Sequence, residues 1–172
     1  MKILILSLFL IPTLCFAQVD TGFVSFPKND LGEVAFEKIL AFDSLSKDQI
    51  FDKVRNFCAT YFASPLARQA EDKQTGYIAY RGYMEDAKST GVFKFYIKDG
   101  KLKAVLTALT FDIYTPDKSF EDVERGEREL YNKRKSKGKP YDNALIKSLS
   151  DYMNAMLTTI ETKLRAKSDF DF

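Results

Sequence analysis

Residues Gly91 to Tyr114 read GVFKFYIKDGKLKAVLTALTFDIY. Two runs of β-formers flank Asp99-Gly100, and an Asp-Gly pair between alternating strands is the strongest short-range hairpin signal. A two-residue turn sets Lys98 opposite Lys101. The next pairs are Ile97 with Leu102, Tyr96 with Lys103, Phe95 with Ala104, Lys94 with Val105, and Phe93 with Leu106. Opposed residues share a face, and faces alternate along each strand. One face therefore collects Phe93, Phe95, Ile97, Leu102, Ala104 and Leu106. The other collects Lys94, Tyr96, Lys98, Lys101 and Lys103. The first face is expected under cover and the second in water. Past Leu106 the apolar parity changes to Leu109, Phe111 and Ile113. A β-bulge between Thr107 and Thr110 accounts for the change and predicts a strongly curved sheet.

The length of 172 residues suits one domain. With 45% apolar and 29% charged residues, the composition is that of an ordinary globular chain. A net charge of +2 gives no polyelectrolyte pull toward nucleic acid. The chain has no histidine, which excludes His-based acid/base chemistry, the Ser-His-Asp triad and His-containing metal sites.

Met1 to Ala17 reads as a secretory signal. Lys2 supplies the charged start, and Ile3 to Leu14 is an apolar run too short to span a membrane comfortably. Cys15-Phe16-Ala17 places small residues for cleavage before Gln18. Lipidation of Cys15, for which Leu14 is large, and an uncleaved anchor are the alternatives. Residues 18–172 are expected as a single α+β domain with a charged excursion at 115–140. That domain keeps only Cys58, so its core must hold it without a disulfide. The expected setting is periplasmic or extracellular, with no transmembrane segment after cleavage.

Glu33 to Phe42 reads as a strand, with Val34, Phe36, Leu40 and Phe42 on one parity and Ile39 on the other. Ser46 to Phe62 reads as a helix, with Ser46 and Gln49 spaced as a capping box and Pro65 ending it. Ile50, Phe51, Val54, Phe57, Cys58, Tyr61 and Phe62 form its apolar stripe. Cys58 on that stripe is expected to be a buried, structural thiol. Leu66 to Glu71 suits a short strand, Asp72 to Gly76 a hairpin loop, Tyr77 to Glu85 a strand and Ala87 to Gly91 a turn. Ser119 to Arg134 has a thin stripe of Phe120, Val123 and Leu130, which predicts an exposed helix or ordered excursion. Lys133 to Pro140 reads as a solvated basic linker. Tyr141 to Lys167 carries the strongest helical stripe, from Leu145 to Leu164. Runs of consecutive strands favour antiparallel pairing. The expected fold is α+β: one curved antiparallel sheet of about five strands, helices on one face, order β-α-β-β-β-β-α.

Three stretches carry a resemblance. They are Phe26-Pro27-Lys28-Asn29-Asp30-Leu31-Gly32-Glu33-Val34 before a strand, Ser46-Lys47-Asp48-Gln49-Ile50 opening a helix, and Glu71-Asp72-Lys73-Gln74-Thr75-Gly76. Together, over roughly Phe23 to Tyr114, they resemble a family of secreted bacterial proteins known as a domain of unknown function with a TATA-box-binding-protein-like (TBP-like) fold. The resemblance implies that fold and transfers no catalytic residue. The fold's namesake grips DNA in the minor groove with apolar wedges. Here the open face would carry lysines where wedges should sit, so no nucleic-acid partner is expected.

Two active classes compete with a bland solvated face. The first is a binding module using the open side of the sheet. Its candidate residues are Tyr77, Arg81, Tyr83, Lys94, Tyr96 and Lys103, since cations interleaved with tyrosine rings can hold an anionic or aromatic ligand. The expected partner is an anionic polysaccharide or an acidic protein surface. The second is a carboxylate-based hydrolase built on Glu85, Asp86 or Asp112, acids near sheet ends. Glu85 and Asp86, as neighbours on a strand, would point apart. A structural subunit that oligomerises through the open face is the remaining reading. No catalytic residue, metal site or cofactor is assigned.

Overall fold

A computed structural model describes residues 22–61, 68–84, 88–111 and 118–166. Residues 1–17, expected to be a secretory signal, lie outside them, as do Phe62, Pro65, the acids Glu85, Asp86 and Asp112, and residues 167–172. Among the described residues no helix is long and apolar enough to cross a membrane.

The elements run β1 (Ala35–Ala41), α1 (Lys47–Tyr61), β2 (Arg68–Asp72), β3 (Tyr77–Met84), β4 (Ser89–Lys98), β5 (Lys101–Phe111), β6 (Lys118–Ser119), α2 (Phe120–Lys135) and α3 (Ala144–Arg165). The strands form one sheet in the order β1-β5-β4-β3-β2, with β6 paired to β5. Every pairing is antiparallel. The expected α+β order is therefore present, with a two-residue sixth strand and a further helix added between β5 and α3.

The central hairpin has the register read from the sequence, from Lys98 opposite Lys101 to Phe93 opposite Leu106. Beyond it the pairing shifts, because Val92 faces Thr107 but Thr90 faces Thr110. The extra residue is Ala108, held at φ +50°. That bulge lies where the apolar parity changes, and it turns Leu109 onto the buried face beside Leu106. Gly91 stands opposite the bulge. A Cβ there would come within 2.8 Å of Leu109 and 2.9 Å of Leu106, so those leucines occupy the space it leaves. This corrects the turn expected at Ala87 to Gly91, since Ser89, Thr90 and Gly91 are the start of β4.

The Asp99-Gly100 turn also anchors the entry to α1. Phe42 N donates to Gly100 O (2.7 Å), Gly100 N to Leu45 O (3.0 Å) and Lys47 N to Asp99 Oδ1 (2.7 Å). An acceptor aimed at a first-turn N–H is the favourable charge for a helix start. The capping box is formed, with Ser46 N donating to Gln49 Oε1 (2.9 Å) and Gln49 N to Ser46 Oγ (3.3 Å). Ile50, Phe51, Val54 and Cys58 of α1 are buried. They join Met153, Leu157 and Ile160 of α3, Phe120 of α2, and the sheet residues Phe36, Ile78, Phe93, Phe95, Leu102 and Leu106 in one core. All three helices thus pack on one face. On edge strand β1, Ile39 points away at 71% exposure, as its parity requires.

The stretch expected as an exposed helix or ordered excursion is a largely exposed helix, docked through its first turns. Ser119 and Asp122 form a capping box, and acids in the first turn and bases in the last suit the helix dipole. Phe120 is fully buried against Phe26 (ring centroids 5.0 Å apart). Glu121 Oε1 accepts from Val34 N (2.9 Å). Arg128 lies 4.4 Å from the Phe23 ring and donates to Ser25 and Glu124. Lys133 to Lys135 belong to the helix, so the basic linker begins only at Ser136. α2 clamps the lead-in strand segment, which in turn presents its Asn29 turn to the opposite face.

Candidate functional site on the open sheet face

The open face can be laid out from the pairings. One cross-strand row holds Ile39, Lys103, Tyr96 and Tyr77. The next holds Glu37, Val105, Lys94 and Ala79, and the third holds Ala35, Thr107, Val92 and Arg81. Tyr83 falls opposite Thr90, beyond the bulge. All six candidate residues therefore share the face assigned to them. They do not form one cluster. Tyr77, Tyr96, Lys103 and Lys94 are in adjacent rows, whereas Tyr83 is six residues from Tyr77 along β3, about 20 Å away at the usual strand rise. Arg81 lies between.

A shallow depression of about 220 Å³ opens in the first group. It is lined by Asn29, Glu37, Lys94, Tyr96, Lys103, Val105 and Thr107. Val105 and Thr107 are buried small side chains that make its floor. Thr107 Oγ1 donates to Val34 O (3.1 Å), which ties the floor to the lead-in segment. Tyr96 stands on one side, 45% exposed, with its ring centroid 5.2 Å from that of Tyr77. Burial, and then the neighbouring Tyr96, push the Tyr77 phenol above its ordinary value.

The charges in the depression are unequal in kind. Lys103 Nζ lies 2.7 Å from Glu37 Oε2, an ion pair across β1 and β5. The alternation of β1 turns Glu37 outward, but only the β1–β5 pairing brings it to Lys103, so sequence reasoning missed it. Lys94 has no ion-pair partner among the described residues, and neither has Arg81. Lys94 is thus the uncompensated cation of the depression.

Asn29 was also missed as a site residue, although its motif was singled out. Its Oδ1 accepts from Leu31 N and Glu33 N (3.0 Å each), and its Nδ2 donates to Glu33 Oε2 (2.9 Å). Those bonds close the Asn29–Gly32 turn, with Gly32 at φ +80°. Asn29 therefore forms a rigid wall. A single carboxylate, Glu37, lines the depression, and it is already paired. Among the described residues no group of three or more His, Cys, Asp or Glu side chains could hold a metal ion.

No family model and no curated protein matches the chain. Its fold is similar to that of a DUF4468 family protein from Bacteroides ovatus, with TM-score 0.53 and 13% identity over 84% of this chain and 92% of that one. A TBP-like protein from Parabacteroides distasonis overlaps less, with TM-score 0.40 and 14% identity over 54% of this chain and 65% of that one. At such identities the likeness is one of fold. The resemblance read from the sequence, to a bacterial domain of unknown function, holds at the level of fold with the DUF4468 protein.

Proposed function

We propose that this chain, which shares its fold with the DUF4468 protein, is an exported, non-catalytic binding module that engages an anionic partner through the open face of its sheet. One observation carries the reading: among the described residues Lys94 has no ion-pair partner, in a depression walled by an exposed tyrosine ring. A carboxylate hydrolase would want two acids converging on one space, and among the described residues Glu37 is the single acid lining this one. Self-association through the same face is disfavoured by charge. A two-fold interface would set the Lys94 and Lys98–Lys101 patch against its own copy, whereas an acidic partner relieves the like charges.

Binding of polyglutamate and polygalacturonate, titrated at low and raised salt, tests the reading. Affinity should fall as salt rises. Lys94→Ala should weaken binding about tenfold, the scale of one charge-assisted hydrogen bond. Lys94→Ala combined with Lys103→Ala should weaken it further. Wild-type affinity in the double variant would leave the lysines as a solubility device. Export is supported by the Lys2 start, the apolar run and the Cys15-Phe16-Ala17 ending. The intact mass of the protein from its own host should begin at Gln18, and a mass retaining Met1 to Ala17 would refute cleavage.

A further inference from the structure

We propose that the depression around Lys94 is a subsite for one carboxylated sugar ring, a hexuronate unit of an acidic polysaccharide. The inference rests on the anionic-partner reading and names the class of partner. Size comes first. At about 220 Å³ the depression is smaller than the roughly 300–1,000 Å³ of pockets that engulf a drug-sized ligand. It admits one ring of a chain whose neighbours lie along the open sheet. Charge comes second. The Glu37–Lys103 pair cancels, so Lys94 leaves a single positive charge to be met. One carboxylate matches it, while a phosphate or sulfate cluster calls for several free cations.

The remaining surface separates a sugar from an acidic peptide. Glu37 is only partly buried in its pair with Lys103, and its carboxylate keeps acceptor positions open to hydroxyl donors. A sugar ring presents such hydroxyls beside its carboxylate. An acidic peptide presents its carboxylates without adjacent hydroxyls, so it gives Glu37 no such donor. Tyr96 supplies an exposed ring face for the apolar C–H side of the sugar, and Val105 an apolar floor. The next row toward the hairpin tip carries Lys98 opposite Lys101, both exposed. They lie about 7 Å beyond Tyr96 and Lys103 at the usual strand rise, in line to meet the carboxylate of an adjoining ring.

The test is calorimetric titration of the folded chain with three probes: a short oligogalacturonate, its methyl-esterified neutral counterpart, and an oligoglutamate of equal charge. The oligogalacturonate should bind at least about tenfold more tightly than either of the others. Lys94→Ala and Tyr96→Ala should each reduce its affinity about tenfold, with both variants still folded by melting curve although Tyr96→Ala loses its ring contact with Tyr77. Glu37→Gln provides the sharpest contrast. Removing that negative charge frees Lys103 and should raise affinity for oligoglutamate, while the preference for oligogalacturonate over oligoglutamate should shrink. If oligoglutamate binds as tightly as the uronate and Glu37→Gln raises both alike, the partner is an acidic protein surface and the sugar proposal fails, with the anionic-face reading intact. If neither polyanion binds, or binding is indifferent to Lys94 and Tyr96, both fail together.

Discussion

Gly76 and Ala108 occupy the same left-handed backbone region, at φ +74° and +50°, with opposite fitness for it. Gly76 closes the β2–β3 loop, where Asp72 Oδ1 accepts from Gln74 N and Thr75 N. Its carbonyl accepts from Ile97 N at 2.8 Å, and a Cβ would stand 2.4 Å from Ile97 O. Gly76→Ala meets both the left-handed penalty and an immovable backbone atom, and should cost about 2–4 kcal/mol. Ala108 already bears a left-handed penalty of about 1–2 kcal/mol. Ala108→Gly removes it but adds about 0.4–1 kcal/mol of unfolded-state entropy. The net effect should lie between no change and about 1.6 kcal/mol of stabilisation. Denaturant unfolding of the two variants measures both numbers, and a destabilised Ala108→Gly would argue against a bulge at that residue. Residue identity in the site was legible only as far as each strand's own alternation. Lys94, Tyr96 and Lys103 could be placed on one face from the hairpin alone. Glu37 and Asn29 join them through the β1–β5 pairing, a contact between residues some seventy positions apart, and nothing local specifies it.

At the scale of elements, local signals were read where local physics decides. The Asp99-Gly100 hairpin register, the Ser46/Gln49 cap and the stripe of α1 are each set by residues within a few positions of one another. The bulge was legible because parity must break wherever a half-buried strand gains a residue. The start of β4 was not. Ser89-Thr90-Gly91 has turn composition, and only Leu106 and Leu109 filling the space beside Gly91 explain a glycine there within a strand. The docking of α2 was missed for a different reason. Its apolar stripe is thin because one residue, Phe120, enters the core. The rest of the attachment is polar: Glu121 on Val34 N, and Glu124 between Arg128 and Lys28, at 2.9 and 3.5 Å. The Lys28 contact is an ion pair without hydrogen-bond geometry, which leaves Glu124 Oε2 buried and unbonded among the described residues. Such contacts leave no hydrophobic period to detect. Their consequence for function is indirect, since they fix the lead-in whose Asn29 turn walls the depression.

For the molecule as a whole, the absence of histidine shapes the response to pH. No side chain with an ordinary value between pH 5 and 8 is present, so thermal stability should be flat across that range. At the acid end, three carboxylates lie below their ordinary values. Hydrogen bonds from Lys38 and Arg165 hold Glu161 down, Thr75 does so for Asp72, and Ser119 for Asp122. A lowered folded value gives stability that is present above the ordinary one and lost as pH falls through the folded one. Melting temperature should therefore drop below about pH 4.5, the ordinary glutamate value. At the alkaline end the sign reverses. Burial, with Glu71 adding to it, pushes the Cys58 thiol from 9.0 up to about 12. The unfolded chain then releases that proton before the folded one does, and stability falls from about pH 9 toward 12. Tyr77, Tyr80 and Tyr141, all raised chiefly by burial, join in above 10.0. Cys58→Ala separates the two contributions. Its alkaline fall should begin nearer the tyrosine value of 10.0, after a uniform loss of stability from the shortened side chain. Melting curves collected across the pH range decide the matter. A step between pH 5 and 8 would contradict the flat middle range, and an alkaline fall that still begins near pH 9 in Cys58→Ala would show that the buried thiol does not set the upper limit.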